Sequence, residues 1–336
     1  MRSNKKVFRN ILILSTILLI VVCLAIPVIL NKAASDGTIF TASENRPYIA
    51  VIGKSDISAF WISVSSGARA AAAEYNVDMT FTAPKSEEEY ETQNEMIREA
   101  VAKGAKAIVF SAIDYNANSE AINEAIKSGV YVVVIDSDVN SDKVSCRIMT
   151  DNYEAGRMAG LKALETGDDE LIVGVINYDR NSANGQQREQ GFCDAIRESG
   201  RPNKIYTVNC ISTQESAYEG TKKLLEEHPE INTVAALNEF MSLGSGYAVR
   251  DLKASDKVNI YAFDSNVVSV GMLETGEIEG LVVQNPYAMG YLGVETAYNL
   301  ISGVSIGSDR IDTTTTYVYS GNMYDIDIQR MIFRFE

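Results

Sequence analysis

Four apolar runs in the chain finish on a side chain that hydrogen-bonds. VVVID ends at Asp136, VAALN at Asn238, IYAFD at Asp264 and GLVVQ at Gln284. Arg188 opens a fifth stretch, REQGF, soon after a run that ends at Asn177. Two carboxylates accept, two amides donate and accept, and a guanidinium offers a rigid donor fork. A polyhydroxyl ligand needs this mixture. Each hydroxyl both donates and accepts, and a planar bidentate group serves two neighbouring hydroxyls. Any one of these residues also suits a turn or a helix cap, so the recurrence at four run ends is what points to a site. Phe60 and Trp61 follow a further apolar run, YIAVIG (48–53), and Trp61 is the sole tryptophan. Adjacent helical side chains point in different directions, so one ring can face the core and the other a cleft. An aromatic face there covers the C–H face of a sugar ring.

Other chemistries lack their residues. His228 is the single histidine and lies in the helix-end stretch EEHPEI, where it is expected to be exposed, so neither a His-based triad nor a multi-histidine metal site is expected. No Walker-type loop is present, and GSGYAV (244–249) departs from the dinucleotide fingerprint at its last position. DRNSANGQQREQ (179–190) has its glycine one place late for a calcium loop, and Gln190 stands where a bidentate glutamate is needed. Cys146, Cys193 and Cys210 form an odd set without C-x-x-C spacing and are expected as buried free thiols. No catalytic residue, cofactor or metal is therefore assigned. The competing enzymatic reading, a glycosidase using Asp136 and Asp264, predicts turnover of a glycoside.

These side chains need a scaffold that brings run ends together. Strands are expected at 48–53, 77–82, 107–112 and 130–136, alternating with helices at 60–75, 86–103 and 117–128. The alternation resumes with a helix at 153–165. Strands at 171–177, 204–209, 233–238, 259–264 and 280–284 follow, separated by helices. Short strands alternating with helices imply right-handed crossovers and parallel sheets covered on both faces. The expected fold class is α/β. Two doubly wound lobes fit the length better than one sheet of ten or more strands. In open parallel sheets, ligands bind beyond the carboxyl ends of the strands.

The N-terminus reads differently. Ile11 to Leu30 contains no charged residue, and 20 residues at about 1.5 Å rise span a hydrocarbon core of about 30 Å. Arg2, Lys5, Lys6 and Arg9 precede it, which places residues 1–10 in the cytoplasm and everything after Leu30 outside the cell membrane. A cleaved signal peptide is the alternative, with a shorter apolar stretch and a small-x-small site. Residues 31–46 read as a linker. The net charge is −15, yet residues 1–46 hold six of the 30 basic residues and two of the 45 acidic ones. An acidic body argues against a nucleic-acid partner.

AFWISVSSGA, VVVIDSD, MTDNYEAGRMAG, REQGF, ALNEFMSLG, AFDSN and VVQNPYAMGY occur in this order. The ordered set resembles the type I periplasmic sugar-binding family over about 47–320. That resemblance implies two lobes joined by three hinge strands, with crossings near Thr150–Asp151, Gln284–Asn285 and Asp312–Thr314. It divides the body into 47–150 plus 285–312 and 151–284 plus 313–336. It also implies a monosaccharide, pentose or hexose, contacted by Phe60, Trp61, Asp136, Arg188, Asn238, Asp264 and Gln284. Ser58, Ser137 and Gln214 are weighed as further ligand contacts; they occupy positions where ribose binders carry an asparagine, an arginine and an aromatic, and Trp61 replaces a phenylalanine. These departures count against ribose itself. An uncleaved helix resembles the tethered sugar receptors that signal to a sensor histidine kinase. A transporter permease of the ABC type is the other membrane partner considered, and pairing into a homodimer through a lobe surface fits a receptor.

Overall fold

The computed structural model describes residue 26, residues 46–178 and residues 180–333. The chain divides into Met1–Arg46 and Pro47–Glu336. The apolar segment Ile11–Leu30 lies outside the described residues apart from Ile26, as do the basic tail and the linker up to Asn45. Among the described residues, no helix is long and apolar enough to cross a membrane.

Two six-stranded sheets build the body. The first uses β1 (Tyr48–Ile52), β2 (Asp78–Thr82), β3 (Ala107–Phe110), β4 (Tyr131–Ile135), β5 (Cys146–Thr150) and β11 (Arg310–Thr313), in the order β11-β5-β4-β3-β1-β2. All its pairings are parallel. The second uses β6 (Leu171–Tyr178), β7 (Asn203–Cys210), β8 (Thr233–Ala236), β9 (Asn259–Phe263), β10 (Gly280–Val283) and β12 (Thr316–Tyr319), in the order β12-β10-β9-β8-β6-β7. Its edge strand β12 runs antiparallel to β10, which the expectation of wholly parallel sheets did not include. The two-lobed α/β architecture read from the alternation is the one observed.

Burial on both faces explains the continuous apolar runs. In the first lobe, Ile49, Val51, Val109, Val133 and Ile135 pack on one face of the sheet, while Ala50, Ile52, Ile108, Val132 and Val134 pack on the other. The second lobe gathers a larger core around Val173, Val175, Phe192, Val234, Ile260 and Leu281.

Three connections pass between the lobes. After β5 the chain leaves the first sheet at Thr150 and enters α4 (Asn152–Ala163), which packs on α5 (Ala183–Glu198) of the second lobe. After β10 it returns through Gln284 and Asn285 to α9 (Pro286–Ile301), which packs on α1 (Ala59–Glu74). Finally β11 of the first sheet continues into β12 of the second. Between these points lie α2 (Tyr90–Ala102), α3 (Ser119–Lys127), α6 (Gln214–Glu227), α7 (Glu239–Asp251) and α8 (Val267–Thr275), and α10 (Ile326–Ile332) ends the described chain.

Caps place several helix starts at the cleft. Ser58 caps α1, with its hydroxyl accepting from Trp61 N, and Asn238 caps α7, with its Oδ1 accepting from Met241 N. Asp151 and Asn285 cap α4 and α9 directly after two of the crossings, and Pro286 fits the first helical position of α9.

Candidate functional site

The strand ends of both sheets face one another across a cavity of about 330 Å³, counted to its open mouth. Its walls include Phe60, Trp61, Asp136, Arg188, Asn238, Asp264 and Gln284 together, and Ser58 beside them. Ser137 and Gln214 are placed elsewhere. Ser137 is buried behind Asp136 and its hydroxyl has no partner, whereas Gln214 is exposed at the start of α6. Neither lines the cavity, which corrects the expectation for both.

The two strand-end aspartates share an unusual backbone. Asp136 has φ 57° and Asp264 has φ 65°, among only four left-handed non-glycine residues described. This conformation costs a residue with a side chain about 1–3 kcal/mol, and Asp tolerates it better than most. Each turn swings the carboxylate off the end of its strand into the cleft. Asp136 accepts from the Ser111 hydroxyl at 3.0 Å and from Asn184 Nδ2 at 3.1 Å. Burial raises its pKa, partly offset by Lys54 and Arg188. Asp264 is pushed up to about 6 by burial, again opposed by Arg188.

Arg188 is 1% exposed and fully engaged on one side. Its Nε donates to Asn152 Oδ1 and its Nη1 to Leu237 O, both at 2.8 Å, and its planar group lies 4.6 Å from the Phe263 ring centroid. Nη1 lies 3.9 Å from Asp264 Oδ2, close enough for charge but too far for a hydrogen bond. Gln284 Nε2 donates to Asp264 Oδ1 at 2.6 Å. What remains is a buried donor, Arg188 Nη2, and a buried acceptor, Gln284 Oε1, neither with a partner. Buried polar atoms are rarely left so.

The aromatic pair divides its roles. Trp61 is 2% exposed, packs in the first lobe's core and donates from Nε1 to Glu87 Oε1 at 3.2 Å. Phe60 is half-buried and meets Trp61 edge to face, with centroids 5.2 Å apart.

Several lining residues escaped the sequence reading: Lys54, Glu87, Tyr178, Asn184, Glu239 and Phe240. Lys54 directly follows the first apolar run, so the strand-end rule that selected Asp264 could have found it. Glu87 lies in SEEEY, where nothing marks one glutamate above its neighbours. Together they form a chain of bonds across the cleft. Lys54 Nζ lies 3.4 Å from Glu87 Oε2 and donates to the Ser182 hydroxyl at 3.2 Å. The Ser212 hydroxyl donates to Glu87 Oε2 at 3.1 Å and accepts from Asn238 Nδ2 at 2.9 Å. Ser111 and Glu87 belong to the first lobe, and Asn184, Ser182 and Ser212 to the second, so the two lobes are closed on one another. Among the described residues, no cluster of three or more metal-ligating side chains occurs.

The periplasmic binding protein domain family matches residues 49–305. A D-ribose/D-allose-binding protein of Pseudomonas aeruginosa is 26% identical over 275 residues, covering 77% of this chain and 83% of its own. A carbohydrate transporter solute-binding protein from Agrobacterium radiobacter, solved in complex with D-arabinose, superposes with a TM-score of 0.83 at 31% identity, over 87% of this chain and all of that one. A chain of the XylFII–LytSN complex shares the fold, with a TM-score of 0.76 at 24% identity, over 82% of this chain and 99% of its own.

Proposed function

The chain belongs to the type I periplasmic sugar-binding family, and from that premise we propose that it binds a neutral pentose or hexose between its lobes. One observation carries the reading. Arg188 Nη2 and Gln284 Oε1 are a buried donor and a buried acceptor without partners, flanking Asp264 in a cavity whose wall includes Phe60. A pair of neighbouring hydroxyls supplies an acceptor to the arginine and donors to the amide and the carboxylate. Phe60 offers an apolar face to the ring. The relatives named for ribose, allose and arabinose support the same class.

The cavity's charge favours a neutral sugar. Asp136, Glu87, Glu239 and Asp264 outnumber Lys54 and Arg188, so a sugar phosphate meets an acidic wall. Trp61 and Ser58, both in the cavity wall, differ from the ribose-binding pattern and support a sugar other than ribose. A mispaired hydroxyl at a closed site costs roughly 1–3 kcal/mol.

In this reading the domain works outside the cytoplasmic membrane, carried by Ile11–Leu30 with its N-terminus inside. Lobe closure on the sugar changes the surface that a membrane partner meets, and tethering supplies the effective concentration for a weak contact. Retention of the apolar segment would favour a sensor histidine kinase as that partner. The solute-binding relative of a carbohydrate transporter favours a permease. Deleting the gene separates them: loss of a transcriptional response to the sugar supports the kinase, and loss of uptake supports the permease.

Sugar binding itself is tested by melting the full chain with a panel of pentoses, hexoses and their phosphates. A neutral sugar should raise the melting temperature, because a ligand of the folded form adds RT ln(1 + [L]/Kd). Silence across the neutral sugars with a response to an amino acid refutes it.

A further inference from the structure

Glu239 stands where the sugar cavity meets a second hollow. This larger space, about 1610 Å³ to its open mouth, is walled by Ile57 and Ile62 from one lobe and Val267, Val268 and Met331 from the other. Phe60, Glu239, Asp264 and Gln284 line both spaces, so they form the partition between them.

Glu239 is the first residue of α7 and belongs to the second lobe, yet its carboxylate is spent on the first. Ala59 N donates to Oε1 at 3.3 Å and Phe60 N donates to Oε2 at 3.2 Å. These N–H groups belong to the first turn of α1, where they have no partner within the helix. The positive end of the helix dipole lies at the same place. Asn266 Nδ2, from the cap of α8, donates to Oε1 at 2.9 Å. Glu239 is 7% exposed. A buried carboxylate is costly to desolvate unless it is paired, and two of its three donors come from the opposite lobe. Lys54–Ser182, Ser212–Glu87 and Asn184–Asp136 also cross the cleft, with one bond each. Glu239 makes two, both to backbone groups that cannot rotate away.

We propose that Glu239 is a positioning residue for closure. It docks the start of α1, with Phe60 and Trp61, against Asn238 and Asp264, and closes the side wall of the sugar cavity. It thereby sets how long a bound sugar stays, without being a sugar contact itself. The statement about residence rests on the sugar reading above; the statement about closure does not.

Two measurements on the full chain separate these. The first is amide exchange in the sugar-free protein. Tyr115 N donates to Asn181 O across the cleft at 3.0 Å and shares no atom with Glu239, so its exchange reports closure. In Glu239→Ala it should exchange about tenfold faster, with Glu239→Gln in between, while Ala50 and Val51 in β1 keep their protection. Unchanged Tyr115 exchange in Glu239→Ala overturns the proposal. Equal acceleration at Ala50 and Val51 also overturns it, because Glu239 then stabilises the fold rather than closure. The second is stopped-flow kinetics, following the fluorescence of Trp61 with the sugar that raises the melting temperature most. Dissociation from Glu239→Ala should be about tenfold faster and association within about threefold of the unmodified chain. Unchanged dissociation refutes the residence role. If no sugar binds the unmodified chain, the sugar reading fails and Tyr115 exchange alone decides the latch.

Discussion

At the scale of residues, burial separates side chains that the sequence presents as equals. Phe60 and Trp61 are neighbours of the same class, and pattern alone leaves open which one meets a ligand. The structure gives Trp61 a core position with its indole N–H committed to Glu87, and leaves Phe60 half-buried at the cavity. Trp61→Ala should therefore cost about 3–5 kcal/mol of stability. Phe60→Ala should weaken sugar binding with a much smaller loss of stability, as denaturant unfolding and binding titrations will show. The strand-end aspartates were legible because a polar residue closing an apolar run stands out. Their left-handed turns were not, since φ leaves no trace in composition, and Glu239 was hidden because its partners lie some 180 residues away in the chain. Asp264 also sets a pH dependence. Burial pushes its pKa up to about 6. In the fold itself, this raised pKa stabilises at low pH, an effect lost as pH rises through about 6. Binding has the opposite sign, because sugar hydroxyls donate to the ionised carboxylate. Affinity should be constant above about pH 7 and fall about tenfold by about pH 5, where roughly one carboxylate in ten is ionised. Affinity that holds steady to pH 5 would show that the sugar does not use the charged form.

At the scale of elements, close helix packing fixes where the arginine stands. A Cβ on Gly156 of α4 would lie 2.1 Å from the carbonyl oxygen of Arg188 on α5, and one on Gly191 would lie 2.0 Å from Tyr153 O. The two backbones touch, and Asn152 at the start of α4 reaches across to Arg188 Nε. Gly156→Ala must push the helices apart. It should destabilise the protein by about 1–3 kcal/mol or more and weaken sugar binding, since Arg188 moves with α5. Melting and titration of the same variant check both; unchanged affinity would mean that the guanidinium is placed by its hydrogen bonds alone. The strands β1, β3, β4, β6, β8, β9 and β10 were legible because burial on both faces demands unbroken apolar runs. Three strands went unread. CRIMT, the sequence of β5, carries Arg147 in its middle, and only the fold shows that its charge is absorbed by Asp138 and the carbonyl of Ser141. RIDT and TYVY, at 310–313 and 316–319, are four-residue strands at the sheet edges, too short and too polar to give a period.

At the scale of the whole molecule, the two lobes are the functional unit, because neither sheet alone holds the site. Asp136 comes from the first, Asp264 and Asn238 from the second, and Gln284 from a connection between them. Alternation of elements was enough to predict two α/β lobes. Their closed relation was not, because the bonds that join them are single polar side chains spread over the sequence. The acidic balance from residue 47 onward and the basic N-terminal tail are the charge pattern behind the proposed membrane tether at Ile11–Leu30. Mass analysis of the mature N-terminus tests that proposal: an intact Ile11–Leu30 supports the anchor, and a start beyond Leu30 shows cleavage. In the proposed function, one neutral monosaccharide fills the cleft between Asp264, Arg188 and Phe60. Calorimetric titration of the full chain with the sugar that raises the melting temperature most, repeated on Asp264→Ala, tests it most directly. The prediction is one sugar per chain, with binding abolished in an Asp264→Ala variant that still melts cooperatively. Full-affinity binding to Asp264→Ala, or more than one sugar per chain, would contradict it.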